Sequence, residues 1–262
     1  MLSHWTQRGF CIAQIMTPCQ AGLTRLSIFL VVALIAASPV SALNTSSVAS
    51  PDVTAGSKAW EYRLSTLPEE SPTEWAQRIH YQHALSESWR LRYIGLFFDP
   101  GQGGPEFRYF RFEAQWQFLE DETAGWDSAV RFEIQLADTD NQPSRGRVAW
   151  SGKWNWDNGW EARANLLIGL QFGERSHDGV LVEHRLQATY PIAADWRLGL
   201  ESFHDFNDTR SFGGFDDQEH QLGPILKGKL AGGAWSLAAG WLFGISDDAD
   251  DNDLRIHVIR SF

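Results

Sequence analysis

The sequence has very little sulfur. Its two cysteines and two methionines all lie within the first 19 of its 262 residues, so a chain that begins at residue 43 would contain no thiol. Disulfide bonds, cysteine-ligated metals and cysteine nucleophiles are therefore excluded there. Long apolar runs are also missing. The longest, residues 26–37, is shorter than the roughly 20 residues that a membrane-spanning helix needs.

That single apolar run has the layout of a secretory signal peptide. Arg25 precedes it, and the small residues Val40, Ser41 and Ala42 follow it as a cleavage site. We predict that residues 1–42 are removed near Ala42. Met16 is an alternative initiator, because the fifteen residues before it have no evident use in a signal of ordinary length.

Basic residues are the scarcer charge. The chain has 22 Lys and Arg against 33 Asp and Glu, and residues 1–42 contain two arginines but no acid. The mature chain would therefore carry a formal charge of −13, which disfavours nucleic-acid binding. No phosphate-binding glycine loop or metal-ligand motif is present, so we predict no cofactor.

Strict alternation of apolar and polar residues is abundant instead. In residues 146–156, Val148, Trp150 and Trp154 alternate with Arg147 and Lys153. Only a strand puts these two sets on opposite faces. The pattern recurs in twelve runs, each as long as a tilted bilayer-spanning strand of roughly 9–11 residues. The predicted strands are 58–66, 74–84, 88–98, 107–119, 126–137, 146–156, 160–172, 179–190, 196–206, 219–230, 235–246 and 253–262.

The connections alternate between short turns and longer polar loops, which is the layout of outer-membrane barrels. We predict an all-β fold, an antiparallel up-and-down transmembrane β-barrel of about 12 strands that occupies residues 58–262. A polar, Ser/Thr-rich stretch, residues 43–57, precedes it as a flexible N-terminal segment. A soluble β-sandwich is the alternative, but its strands average five or six residues.

Five tryptophans begin strands that follow short turns, and indole rings favour the membrane–water boundary. We predict that they form one aromatic girdle at the periplasmic rim. These residues are Trp89, Trp126, Trp160, Trp196 and Trp235.

The C-terminal strand resembles the terminal strand of bacterial outer-membrane proteins. Leu254, Ile256 and Val258 alternate with polar residues, and the chain ends in Phe262; Arg260 departs from the pattern. In those families this strand is the signal read by the barrel-assembly machinery. The resemblance implies that role for Phe262.

Residues 221–226 and 239–245, with this ending, resemble the outer-membrane porins grouped as "MetA-pathway of phenol degradation" barrels. The resemblance covers about the final 80 residues. It implies a channel or transporter in the outer membrane of a Gram-negative bacterium, in contact with outer-membrane lipid and lipopolysaccharide. It brings no agreed substrate and no catalytic residues.

Charged residues on the polar faces should point into the barrel, because a bare charge in hydrocarbon is costly. One interpretation is a bracing ladder of Arg–Glu pairs. The other is a basic track, beginning with Arg78, Arg90 and Arg92, that attracts small polar or anionic solutes into a narrow pore. The lumen candidates are Arg78, Arg90, Arg92, Arg111, Glu113, Arg131, Glu133, Arg163, Glu183, Arg185, Lys227 and Lys229.

Two functional alternatives remain. A barrel closed by its own side chains would be purely structural. A lipid-facing hydrolase would need a hydroxyl beside an imidazole, and Ser202 and His204 share one strand face with Asn207 nearby. The order of these residues differs from the His-x-Ser pattern of outer-membrane lipid hydrolases, so we expect a channel rather than an enzyme.

Acidic clusters occupy two outer loops, at residues 216–219 and 247–253. Carboxylate oxygens of this kind can bind Ca²⁺, but neither cluster has the glycine or the spacing of an EF-hand loop. We interpret both as solvated loops near the lipopolysaccharide layer, and predict no metal site.

Overall fold

The computed structural model describes residues 43–68, 70, 72–138 and 142–262. The predicted signal peptide, its cleavage site and Met16 lie outside these residues. Among the described residues, no helix is long and apolar enough to cross a bilayer. The strands are β1 (Lys58–Leu67), β2 (Glu74–Ala84), β3 (Trp89–Asp99), β4 (Glu106–Asp121), β5 (Trp126–Ala137), β6 (Ser144–Asn155), β7 (Glu161–Phe172), β8 (Val180–Ala193), β9 (Trp196–Asp208), β10 (Glu219–Leu230), β11 (Trp235–Gly244) and β12 (Asn252–Ser261).

These strands form one closed antiparallel barrel. Each strand pairs with its neighbours in the chain, and β1 pairs with β12 to close the wall. The prediction of a 12-stranded up-and-down barrel is therefore confirmed. Strands β2, β5 and β10 have the predicted bounds, and the other strand ends differ by three residues or fewer.

The barrel wall is apolar outside and polar inside. Ile134 and Leu136 are 45% and 48% exposed, whereas Gln135 between them is buried. Leu200 is 56% exposed, whereas its neighbour Glu201 is buried. A soluble β-sandwich would bury its apolar face, so this inverted pattern fits a wall that touches lipid.

Short turns and long loops lie at opposite ends of the barrel, as the alternation of connections predicts. We call these the short-turn end and the long-loop end. At the short-turn end, Trp89 stacks on Trp116 with ring centroids 6.1 Å apart, and Trp126 stacks on Trp154 at 6.3 Å. Trp160 lies one residue before β7.

The N-terminal stretch lies inside the barrel. The sequence suggests a flexible segment, but the structure holds residues 43–53, here called the inner segment, along the lumen. At the long-loop end, Asn44 N donates a 2.8 Å hydrogen bond to Asp253. Near the short-turn end, Val53 N donates to Gln117 at 2.7 Å. The chain then reverses into β1.

Candidate functional site: the lumen and its inner segment

An ionic network braces the lumen wall. Pairs two residues apart on one strand meet, as in Arg131–Glu133 at 2.7 Å. Arg147 then bridges strands, because it contacts Glu133 at 2.7 Å and Glu183 at 2.5 Å. Glu183 also pairs with Arg185 at 2.5 Å. The network therefore joins β5, β6 and β8, and its central residue, Arg147, is absent from the sequence-based candidates.

A glycine lets Arg147 reach across β7. Its register partner on β7 is Gly169. A Cβ atom built at Gly169 would lie 2.6 Å from Arg147 Cγ, which is closer than real Cβ contacts allow. The missing side chain on β7 therefore opens the path from Arg147 to Glu183 on β8.

A second ion pair also joins strands that are not neighbours, past an inward-facing glycine. Arg255 on β12 forms an ion pair with Glu201 on β9, and both side chains are 1% exposed. Gly240 is the register partner of Arg255 on β11. A Cβ atom there would lie 3.0 Å from Glu201 Oε1. Inward-facing glycines thus permit ion pairs between strands that are not neighbours.

The predicted basic track is only partly free of carboxylates. Arg92 contacts Glu113 at 3.0 Å, so at this position the structure shows an Arg–Glu pair rather than an unpaired member of a basic track. The two residues lie opposite each other on β3 and β4. Arg90 donates instead to Gln115 at 2.8 Å.

Arg78 has no ion pair among the described residues. Its guanidinium carbon lies 5.9 Å from the centroid of the Tyr109 ring, and its buried Nε has no hydrogen-bond partner in the part of the chain that the structure describes. Arg111 contacts the same tyrosine ring and donates to Gln135 at 2.6 Å. Both arginines lie near the long-loop end of the lumen.

Backbone carbonyls of the inner segment accept hydrogen bonds from lumen arginines. A guanidinium has five N–H donors and no acceptor, so carbonyl oxygens can bind the N–H groups that its carboxylate partner leaves over. The inner segment therefore accepts some of the hydrogen bonds that the lumen arginines donate. The bonds run from Arg63 to Thr45 at 3.1 Å, from Arg255 to Ser46 at 2.7 Å and from Arg185 to Ser47 at 3.4 Å.

An ion pair anchors the lower part of the inner segment. The Lys153 ammonium donates to Asp52 and also contacts Asp127 at 2.8 Å. Burial by itself would raise the pKa of the Asp52 carboxyl. The hydrogen bonds from Lys153 and Ser50, and the charge of Lys153, outweigh burial and hold that pKa below its ordinary value.

The inner segment separates two cavities. The larger, here called the basic vestibule, lies at the short-turn end and has a volume of about 640 Å³. Of the described residues that line it, seven are Arg or Lys and four are Asp or Glu. A smaller cavity of about 230 Å³ lies on the other side, towards the long loops. The cations of the basic vestibule are Arg63, Arg90, Arg92, Arg163, Arg197, Lys227 and Lys229.

The predicted lumen residues thus divide into two groups. Five of them line the basic vestibule, namely Arg90, Arg92, Arg163, Lys227 and Lys229, and most of the others belong to the bracing network or hold the inner segment. Arg163 contacts Glu161 at 2.8 Å, Lys227 donates to Gln187 at 2.8 Å, and Lys229 is exposed. The role of these residues in selectivity stays a prediction.

The C-terminus closes the barrel. Phe262 N donates a 3.0 Å hydrogen bond to the carbonyl of Lys58, and the phenyl ring is 61% exposed. Arg260, which departs from the terminal pattern, lies over the Trp235 ring at 5.2 Å and donates to the carbonyl of Ala234. Its charge therefore reaches the rim of the barrel, where water is available.

The described residues contain no group of three or more His, Cys, Asp or Glu side chains that could hold a metal ion.

Solved structures with this fold are outer-membrane proteins. The COG4313 outer membrane channel from Pseudomonas putida F1 aligns with a TM-score of 0.62 at 10% identity, over 81% of this chain and 98% of that one. The KdgM porin aligns at 0.55 and 13% identity, over 78% and 99%. The NanC porin aligns at 0.54 and 11%, over 79% and 99%. At these identities the likeness concerns the fold.

A comparison with curated proteins found no match. The family described as "Putative MetA-pathway of phenol degradation" matches residues 93–252, more than half of the chain. The match extends well beyond the C-terminal residues that carry the resemblance in the sequence. The chain belongs to this family, and it folds as a closed outer-membrane β-barrel.

Proposed function

We propose that the protein is a narrow channel for small anionic solutes, with the inner segment as its constriction. The observation that carries this proposal is the basic vestibule. It opens at the short-turn end, its cations outnumber its carboxylates, and it ends against the inner segment. A cavity lined by one sign of charge with low-dielectric walls concentrates counter-ions.

The vestibule contrasts with the rest of the chain. The whole sequence carries a net charge of −11, so the cationic lining is local. Lys227 and Lys229 lie on one face of β10, two residues apart, and point towards the cavity. Lys227 has only a carboxylate 3.7 Å away and a neutral amide at 2.8 Å. These lysines are therefore the cations most available to a solute.

One structural neighbour has been solved with an acidic saccharide: the KdgM porin in complex with disordered oligogalacturonate aligns with a TM-score of 0.55 at 11% identity. A uronate carries a carboxylate on a polar ring, which matches the charge of the basic vestibule. We include acidic saccharides among the anions to be tested.

Planar-bilayer recording tests the proposal directly. Purified mature protein in a KCl gradient should give discrete conductance steps and a reversal potential that reports preference for Cl⁻. The double variant Lys227→Glu and Lys229→Glu should shift the reversal potential towards K⁺. An oligogalacturonate added at the short-turn side should reduce the wild-type current more than that of the variant.

Lys58 provides the matched control. It lies at the same end of the barrel but on the strand face that carries Trp60 and Tyr62, outside the lumen. Lys58→Glu should leave the reversal potential unchanged. Equal shifts in both variants would contradict selectivity by the vestibule.

A closed structural barrel is the second candidate, and the position of the inner segment favours it. Thr45, Val48 and Ala49 are buried, and the segment bonds to the wall along its length. Deletion of residues 44–53 distinguishes the two. A channel conducts with the segment present and conducts more without it, whereas a closed barrel conducts only after the deletion.

A further inference from the structure

The outer wall carries a serine and two histidines in one hydrogen-bonded row. Ser202 Oγ lies 3.1 Å from His204 Nε2, and His204 Nδ1 lies 3.1 Å from His220 Nδ1. Ser202 and His204 occupy the face of β9 opposite to Glu201 and Phe203, which point into the lumen. His220 is the register partner of His204 on β10. The pairing of β9 with β10 therefore assembles the row.

The row continues to Gln218, and this fixes the proton positions. Gln218 Nε2 donates to the carbonyl of Phe212 at 2.7 Å, which directs Gln218 Oε1 at His220 Nε2, 3.0 Å away. An amide oxygen only accepts, so His220 Nε2 carries the hydrogen and His220 Nδ1 accepts. His204 Nδ1 is then the donor.

These proton positions determine how Ser202 bonds to His204. With its hydrogen on Nδ1, the His204 ring has a free lone pair at Nε2, and that atom faces Ser202 Oγ at 3.1 Å. The hydroxyl therefore donates to His204. A nucleophile, a base in the correct tautomer and a third group that holds the base are the parts of a serine hydrolase site.

The Phe215 ring covers one side of this row, and apolar side chains of the outer wall flank Ser202, which is itself 8% exposed, on the other. The Phe215 ring lies 4.4 Å from the His220 ring, which is 2% exposed. Ser202 lies opposite Leu186 and Leu222, which are 40% and 42% exposed on the outer wall. The row thus stands where the apolar wall meets the long loops.

We propose that this row hydrolyses the acyl esters of membrane lipids, an activity separate from conduction through the lumen. Ser202 Oγ attacks the ester carbonyl while its proton passes to His204 Nε2. The bond between the carbonyl carbon and the leaving oxygen breaks, and His204 returns the proton to that oxygen. Water, activated by the same base, then cleaves the acyl-serine to release a fatty acid and restore Ser202.

His220 and Gln218 are positioning residues in this scheme, since they act through His204. Sequence reasoning suggested Asn207 beside Ser202 and His204, but Asn207 instead donates to the carbonyl of Asp217 at 2.6 Å. The sequence did not point to His220, because it lies sixteen residues from His204, on the next strand.

A fluorescent fluorophosphonate, which modifies activated serines, tests the nucleophile. Full-length mature protein in mixed micelles of phospholipid and detergent should be labelled at Ser202 and should release fatty acid. Ser202→Ala should abolish both, and its heat-dependent gel mobility should show an intact barrel. Ser128 is the matched control, because it also faces outward but bonds to Trp150 Nε1 at 2.8 Å rather than to a histidine. Ser128→Ala should keep both activities.

Two variants of His220 test whether its hydrogen bond with His204 positions the base. His220→Phe keeps an aromatic ring but removes the acceptor that holds the hydrogen of His204 on Nδ1. Fatty-acid release should fall about 10²-fold, the lower end of what general-base catalysis contributes, because His204 is no longer held as a base. His220→Asn places its amide oxygen, which is bonded to Cγ and accepts hydrogen bonds, where His220 has Nδ1. This variant should restore most of the rate. The proposal is overturned if wild-type protein is neither labelled nor active, if Ser202→Ala retains activity, or if His220→Asn is as inactive as His220→Phe.

Discussion

Asn165 and Ala49 make a two-point contact inside the barrel. Ala49 N donates to Asn165 Oδ1 at 2.7 Å, and Asn165 Nδ2 donates back to the carbonyl of Ala49 at 3.0 Å. Asn165 is fully buried on β7, and the two residues are 116 positions apart. One side chain of the wall thus satisfies both backbone groups of one residue of the inner segment, as a neighbouring strand would.

Replacement of Asn165 by Leu should loosen the inner segment. The variant leaves the N–H and carbonyl of Ala49 without partners, and each buried unsatisfied group costs about 1–3 kcal/mol. The described residues contain no cysteine, so a Ser47→Cys substitution gives a unique probe. We expect Asn165→Leu to raise the rate of Cys labelling by a bulky maleimide at least several-fold.

Gln135→Leu is the control for that experiment, because Gln135 faces the lumen but bonds to Arg111. Its labelling rate should match that of the protein with Ser47→Cys alone. If Asn165→Leu also leaves the rate unchanged, the contact does not hold the segment.

Removal of the Arg147 charge should strongly destabilise the barrel. Arg147→Met removes one of two close arginine partners from Glu133 and from Glu183, which keep Arg131 and Arg185. Loss of one member of a buried ion pair costs up to about 3–5 kcal/mol. Urea unfolding in lipid vesicles measures the change. Arg210→Met should change stability by less than about 1 kcal/mol, because Arg210 and Asp178 are exposed in the outer loops.

Addition of a methyl group at Gly169 should also weaken the network. A Cβ atom there meets Arg147 Cγ at 2.6 Å and would divert the side chain away from Glu183. We expect Gly169→Ala to destabilise by about 1–3 kcal/mol, the usual cost of overpacking. Gly146→Ala is the control, since nothing lies within 4 Å of a Cβ atom at Gly146. Equal unfolding curves for the two variants would show that the missing side chain at Gly169 is not what lets Arg147 reach Glu183.

Acid should weaken the hold on the inner segment through Asp52. Since the pKa of Asp52 is lowered when it is bound to Lys153, its stabilising contribution is complete above the ordinary carboxyl pKa and is lost as the pH falls through the lowered value. Labelling at Ser47→Cys should therefore accelerate at acidic pH, after correction for thiol ionisation. Asp52→Asn, which cannot ionise, should show faster labelling near neutrality and a smaller acid dependence.

The fold could be predicted well because its main determinant is local. Alternation along one strand, as at Val148, Trp150 and Trp154, directly states which face meets lipid. The short turns then specify antiparallel neighbours, and an even number of strands closes the barrel. The Arg–Glu pairs within a strand, such as Arg131–Glu133, followed from the same period of two.

The candidate site was harder to predict because its contacts are not local. Arg92 pairs with Glu113 only because β3 and β4 adopt one register, and Arg147 reaches Glu183 only because Gly169 faces the same way on the strand between them. Neither fact has a signal within a single strand. The same holds for the row from Ser202 to Gln218, whose members come from β9 and from the loop and strand that follow it.

The sequence by itself determined the number and length of the strands and which face of each is apolar. Successive side chains on a strand alternate between its two faces, so the face of each residue follows from its position in the strand. The tertiary structure alone decided what fills the lumen. Residues 43–53 carry no alternation and no hydrophobic run that would dock them. They are held because closure of the barrel surrounds them with donors such as Arg255, more than two hundred residues away from Ser46.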